Sequence, residues 1–303
     1  MAITASMVKE LRELSGAGMM DCKKALTETD GDMDKAVEYL REKGLAKAAK
    51  KAGRIAAEGL VATNISADNK VAAIVEVNSE TDFVAKNEKF RDYVAAVAAQ
   101  ANATSAADID AFLSEPWAND TSKSVKDELA SQIAVIGENM NIRRFEKIVA
   151  DNGFVESYIH GGGRIGVLVE FEGEYNDAAK ECAKNVAMQV AAISPKYVTR
   201  DEVPADYIAH ETEILKAQAM NENPDKPENI IEKMIVGRLN KELKEVCLVD
   251  QVYVKDSDMT VGKYIASVSK DLKVVKFVRF ETGEGIEKKN EDFAEEVARQ
   301  MGQ

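Results

Sequence analysis

Side chains able to do covalent or metal chemistry are sparse in this chain. Histidine, the commonest general acid–base group, occurs only twice. Cys22, Cys182 and Cys247 are widely spaced, with no Cys-x-x-Cys pair. Neither a zinc knuckle nor a disulfide framework is indicated, and three small buried hydrophobes in a reducing compartment is the favoured reading. No Gly-x-x-x-x-Gly-Lys-Ser/Thr loop is present to cradle phosphates. Gly161-Gly162-Gly163-Arg164 lacks the following helix that would make it a phosphate nest. Asp and Glu are abundant but fall mostly on helical faces, where solvation is their ordinary role. Catalytic residues, metal ligands and a resident cofactor are therefore all expected to be absent, and a hydrolase is the weakest reading.

The informative stretch is Glu76-Val77-Asn78-Ser79-Glu80-Thr81-Asp82-Phe83-Val84-Ala85. Before it, Lys70–Val75 is an apolar, β-branched run that reads as a buried strand. After it, Val84, Phe90, Val94, Val97 and Ala101 recur at helical spacing over a helix from Val84 to Gln100. The stretch is thus a strand-to-helix corner at which Thr81 or Asp82 caps the helix. Phe83 and Phe90 lie seven residues apart, on one helical face, so Phe83 could belong to the core. Periodicity alone leaves that reading and an outward-facing ring equally open.

Length and charge limit the rest. At 303 residues about two domains are expected. The net charge of −13 argues against nucleic acid as the main partner. Residues 1–55 carry eleven Lys/Arg against nine Asp/Glu, so the first module differs electrostatically from the body. No signal or transit segment is evident, and no apolar run approaches the roughly 20 residues that span a bilayer, so no membrane partner and a soluble, cytoplasmic protein are expected.

The elements around the corner read as an α+β protein. Thr4 caps a first helix, Ser15-Gly16-Ala17-Gly18 breaks it, and a second from about Met19 buries Cys22, Ala25 and Leu26. Asp30-Gly31-Asp32 turns into a third, with Met33, Ala36, Val37 and Leu40 inward and Gly44 closing it. Met19 and Met20 point about 100° apart, so one of them is expected to stay partly exposed. Ala46–Ala57, with Lys47, Lys50, Lys51 and Arg54, reads as a solvated helical connector. The body is duplicated: an offset of 94 residues carries Gly59 to Gly153, Lys70 to Arg164, Ile74 to Leu168 and Glu76 to Glu170. Each copy reads as a β-hairpin with a helix on its sheet. The copies differ at the corner, Thr81-Asp82-Phe83 against Tyr175-Asn176-Asp177, and at the turn that follows His160. His160, beside flexible glycines, is either a surface or capping group or a contact residue. Asp108–Phe112 and Ser122–Ile136 read as helices around a packing Trp117, and Asn141–Val149 as a strand. Asp206–Met220 and a stretch bearing Ile231, Ile235, Leu239, Leu243 and Val246 form a helical hairpin about 25 Å long, joined by a Pro-rich turn. Strand Lys273–Glu281 and a last amphipathic helix with Phe293, Val297 and Met301 complete the chain.

Asn78-Ser79-Glu80 with Thr81-Asp82-Phe83-Val84 resembles the signature of the elongation factor Ts family. So do Arg12, Ser15-Gly16-Ala17-Gly18, Asp21-Cys22-Lys23 and Ala25-Leu26 near the start, and the run from Arg279-Phe280-Glu281 to Gly285-Ile286-Glu287. Nearly the whole chain is covered. The resemblance implies a ubiquitin-associated-like three-helix module with its linker over 1–55 and a core subdomain over 56–140. It implies a second subdomain over 141–200 and 248–280, an antiparallel coiled-coil insertion over 201–247, and a C-terminal module over 281–303. It implies a guanine-nucleotide exchange factor, not an enzyme, acting in translation on elongation factor Tu in its GDP-bound and nucleotide-free states. Thr81, Asp82, Phe83 and Val84 would dislocate Mg²⁺ from the partner, while Met19, Met20, Lys23 and His160 would bind it. A dimer of the heterodimer is compatible with it. The alternative from the residues alone is a non-catalytic helical-hairpin scaffold.

Overall fold

The computed structural model describes residues 3–287; the expected helix with Phe293, Val297 and Met301 lies outside the described residues. The chain opens with α1 (Ala5–Ser15), α2 (Met19–Glu28) and α3 (Met33–Lys51). Thr4 caps α1 by accepting the Met7 N–H, Gly16 ends it in the left-handed region, and Asp32 caps α3 through the Lys35 N–H. Leu11, Cys22, Ala25, Leu26 and Ala36 are sealed between the three helices.

Gly44 does not close α3, which continues to Lys51. The glycine is buried, and a Cβ there would meet the Ala134 side chain at 3.5 Å. It serves as a place of close helix approach rather than a stop. The lysine-rich stretch expected to be a solvated helical connector is helical as far as Lys51 and mostly exposed, and it is fastened at its end, where the Lys51 ammonium donates to the Gly137 carbonyl. Arg41, ahead of it on α3, pairs with Asp127 at 2.6 Å, and Lys47 pairs with Asp21 of α2 at 2.9 Å.

Next come β1 (Glu58–Ile65), β2 (Val71–Ser79), α4 (Asp82–Ala85), α5 (Glu88–Ala103), α6 (Ile109–Ser114), β3 (Pro116–Trp117), β4 (Asp120–Ser124), α7 (Val125–Ile136) and β5 (Met140–Val149). They are followed by β6 (Gly153–His160), β7 (Ile165–Glu172), α8 (Asp177–Ile193), α9 (Ala205–Glu222), α10 (Glu228–Val246), β8 (Val252–Tyr253), β9 (Asp256–Thr260), α11 (Val261–Val268) and β10 (Lys273–Glu281). The protein is α+β, with two antiparallel three-stranded sheets ordered β1-β2-β5 and β10-β7-β6. The strand over 141–149, expected to open a second subdomain, pairs instead with β2 in the first sheet. The boundary at 141 is the one the resemblance implies, and the pairing of this strand with β2 is a long-range contact set by tertiary packing.

Both central strands are buried on both faces, as their continuous apolar runs require. Alternation sends Ala73, Val75 and Val77 of β2 toward α5, and Ala72 and Ile74 toward the other sheet. In β7, Val167, Val169 and Phe171 face α8 while Leu168 faces the first sheet. The layers are therefore helix, sheet, sheet, helix. The duplication extends past the hairpins. Buried Gln100 donates to the Pro116 carbonyl at 2.9 Å and accepts the Ala118 N–H at 2.8 Å. Buried Gln189 does the same with Val252 at 3.1 Å and Val254 at 2.8 Å.

The α9–α10 pair is inserted into the second copy. It runs antiparallel, Tyr207 reaching Glu242 near its base and Glu222 reaching Arg238 further out. Its entry and exit are fastened together: Tyr197 bridges Cys247, and the Leu248 N–H donates to the Tyr197 carbonyl at 2.8 Å. No helix among the described residues is long and apolar enough to cross a membrane.

The two sheets come close together at Gly166, where an added Cβ would collide with Val61 and crowd Ile159 and Ile74 at 3.1 and 3.2 Å. Gly166→Ala is expected to destabilise the fold by about 1–3 kcal/mol, as overpacking does. A denaturation midpoint equal to that of the unaltered chain would contradict this close sheet contact.

Candidate functional site

The corner after β2 is built by two successive caps. Thr81 accepts the Val84 N–H at 3.4 Å and starts α4, which lasts one turn. Asn87 then accepts the Lys89 N–H at 3.0 Å and starts α5. The single helix expected from Val84 to Gln100 is therefore two, because the Asn87 side chain offers the backbone a new beginning. Phe83 and Phe90 no longer share a face. Phe90 is fully buried, whereas Phe83 is 80% exposed, which removes it from the core. A phenyl ring left in water forgoes about 2–3 kcal/mol of burial. Phe83 makes no ring–ring contact among the described residues, while Tyr175, beside the matching corner, rests edge-on against Phe154 at 5.0 Å.

Asp82 is exposed, and its carboxylate meets the Lys86 ammonium at 2.6 Å. That bond holds its carboxyl below the ordinary aspartate value. Val84 and Thr81 are half-buried beneath it.

The second hairpin brings its turn to the same place. Gly161, Gly162 and Gly163 all have positive φ, and at Gly163 a Cβ would come 2.6 Å from Leu60. Only glycine lets the turn lie on β1, where the Val61 N–H donates to the Gly163 carbonyl at 2.7 Å. Thr282 fastens the other side, its N–H donating to the Arg164 carbonyl at 2.9 Å. Gly161, Gly162, Asp82, Lys86 and Arg91 consequently line one cleft. His160 stands exposed at the end of β6, with its Nδ1 3.0 Å from the Tyr158 hydroxyl.

The structure thus gathers Asp82 and the turn after His160 around one cleft, with Phe83 at its rim in an adjoining depression that shares Asp82 and Arg164. Met19, Met20 and Lys23 do not line either; they lie on α2 and all three are exposed. Both methionines, not one, face outward, since Cys22, Ala25 and Leu26 occupy the buried face of α2. No group of three or more His, Cys, Asp or Glu residues among the described residues could hold a metal ion. The arrangement offers an exposed ring and polar groups for contact.

Sequence reasoning missed the carboxylates behind this surface. Glu76 is completely buried in β2. It accepts from the Gly283 N–H at 2.8 Å, Asn78 at 3.0 Å, Arg143 at 3.0 Å and Arg144 at 2.6 Å. Burial opposes its charge, but the bonds from Gly283, Asn78 and the two guanidiniums prevail and hold its carboxyl below the ordinary value. The available signal was a carboxylate in phase with Ala72 and Ile74, together with consecutive arginines in another strand. Glu138 is the other omission: its carboxylate takes both the N–H and the hydroxyl of Thr81.

A model of the family described as Elongation factor TS matches residues 80–284. Among curated proteins, the chain is 60% identical over 304 residues to Elongation factor Ts of Clostridioides difficile, with 99% of each chain covered. It is 58% identical over 304 residues to Elongation factor Ts of Clostridium tetani and 56% identical over 306 residues to that of Clostridium novyi, again with 99% of each chain covered.

Removing Glu76 takes an acceptor from Arg143, Asn78 and the Gly283 N–H and leaves Arg144 with Glu284, so Glu76→Ala is expected to cost about 1–3 kcal/mol at neutral pH. A carboxyl held low in the fold contributes stability above its ordinary value of 4.5 and loses it as pH falls through the lower folded value. The gap between Glu76→Ala and the unaltered chain, measured by denaturant unfolding, should therefore narrow below pH 4.5. A gap independent of pH would contradict an ionised Glu76.

Proposed function

The chain belongs to the elongation factor Ts family, and from that premise we propose that it is a guanine-nucleotide exchange factor which binds elongation factor Tu carrying GDP and speeds GDP release. It transfers no group and needs no cofactor. GTP then rebinds to the emptied partner during protein synthesis in the cytoplasm.

The single observation that carries this reading is the exposure of Phe83 on a corner whose every neighbour is anchored. A GTPase holds GDP through a phosphate cradle and a Mg²⁺ ion that demands near-octahedral coordination. Phe83 enters between helices of elongation factor Tu, with Asp82 supplying polar contacts beside it and Thr81 and Val84 forming the base of the wedge. Displacing the segment that carries the metal's water-mediated ligands loosens Mg²⁺. His160, just ahead of the glycine turn that lines the cleft, and Met19, Met20 and Lys23 on α2 hold adjacent elements of the partner. Coupling between two sites is typically about 1–3 kcal/mol, so several contacts act together. Coupling is reciprocal, so nucleotide expels the factor in turn, and one molecule serves many partners.

The same reading gives the parts their roles. The three N-terminal helices form a ubiquitin-associated-like module, the two sheets with their helices form a duplicated core, and α9–α10 forms a coiled-coil arm. The segment after β10 leads into a C-terminal docking module. The core divides after β5 rather than before it.

Mixing the protein with elongation factor Tu loaded with fluorescent GDP tests the proposal, and release no faster than without it would end it. Phe83→Ala should slow release at least about tenfold, given the 2–3 kcal/mol carried by one buried Phe. Its unfolding midpoint should stay unchanged or rise, because the ring contributes no core packing.

A further inference from the structure

A four-residue helix does not hold its own shape in water, because its nucleus costs more than its few hydrogen bonds supply. α4 is such a helix, and Phe83 at its second position is 80% exposed, so no packing of the ring sets its direction. What holds the turn is the packing of Val84 and Ala85 on the first core together with the backbone at Thr81, where the helix begins.

Thr81 is held at both of its polar groups by one side chain. Its N–H donates to Glu138 Oε2 at 3.0 Å, and its hydroxyl donates to Glu138 Oε1 at 2.6 Å. The same hydroxyl oxygen accepts the Val84 N–H. The hydroxyl proton is thereby committed to Glu138 and a lone pair to the helix cap, which defines the side-chain rotamer and the first turn together. Glu80 returns the contact from the other direction. Its Oε1 accepts the Asn139 N–H, and Arg54 lies 3.5 Å from it. Asn139 in turn donates to the Arg54 carbonyl at 2.7 Å. Gly137, at φ +91, turns the chain out of α7 into Glu138, and Lys51 holds the Gly137 carbonyl. Residues 80–81 and 138–139 therefore brace one another reciprocally, and the end of α3 closes the brace.

We propose that Glu138 is a positioning residue for Phe83, fixing the one-turn helix so that the ring is presented to the partner already ordered. The inference rests on the wedge role given to Phe83 above. Preorganisation of this kind speeds docking because the turn need not be ordered on contact. Glu138 touches neither nucleotide nor metal and acts only through Thr81.

The test uses the full chain with Glu138→Gln, Phe83→Ala and the double variant. A carboxamide keeps one acceptor but turns an NH₂ toward the other Thr81 donor. Two readouts are needed: amide hydrogen exchange over Thr81–Lys86, and release of fluorescent GDP from elongation factor Tu. Glu138→Gln is expected to raise exchange at Val84–Lys86 about tenfold, in line with loss of a charged hydrogen bond, while the remainder of the chain keeps its protection. It should slow GDP release about tenfold in the unaltered background and add nothing in the Phe83→Ala background. A merely structural effect would appear equally in both backgrounds, and that result overturns the proposal. Unchanged hydrogen exchange at the corner overturns it as well. Raised exchange at the corner, with Phe83→Ala releasing GDP at the unaltered rate, upholds the clamp and instead removes the wedge role from Phe83.

Discussion

A carboxylate taken wholly out of water costs several kcal/mol unless its surroundings replace the lost hydrogen bonds, and at Glu76 they do. Its four donors come from three parts of the chain: β2 itself, the two arginines of β5, and the segment after β10 at Gly283. Arg144 continues the network to the Glu281 carbonyl and Glu284, and lies over the Phe280 ring at 4.2 Å. One buried charge thus ties the outer strand of the first sheet and the end of the last strand to the centre. The matching position in the second copy, Glu170, sits opposite Lys276 across β7 and β10. There burial wins over Lys276, and the carboxyl is pushed above its ordinary value. The duplicated sheets share a cross-strand acid–base pair, but only the first uses it to capture the segment after β10.

That asymmetry matches the asymmetry of the surface. The side of the molecule with the captured segment after β10 also carries Phe83, the glycine turn after His160 and the Thr282 fastening. Rigidity concentrates behind an exposed ring. A hydrophobic side chain on a mobile loop would fold back or collapse onto its neighbours, whereas a ring on a braced corner stays available. In the second copy, where Asn176 caps a long helix directly and Tyr175 rests on Phe154, no such projection arises.

The fold is legible in the sequence wherever period and cap agree. Thr4, Asp32 and Asn176 stand immediately before helical patterns, and each caps a helix there. Legibility fails where a residue's local meaning differs from its tertiary one. Gly44 is a helix stop by propensity, yet in the fold it is the gap that admits Ala134. Phe83 and Phe90 share a phase, but the Asn87-Glu88 start between them resets it. The partner of β5 is a matter of long-range pairing. Of the candidate site, Asp82 and Phe83 are marked in the sequence by the difference between the two copies, though periodicity alone leaves the direction of the ring open. Glu138 is not, since it lies 57 residues from Thr81 and belongs to no local pattern.

The α9–α10 insertion leaves and re-enters the body at adjacent points, Tyr197 and Cys247. Because that seam is closed by backbone bonds of its own, the body does not sense what lies beyond it. Closing a longer excursion adds only about 0.6 kcal/mol for each doubling of its length. Reach is thereby released from foldability: an arm mounted on such a seam can lengthen, shorten or change its tip over evolutionary time while the machinery beneath stays as it is.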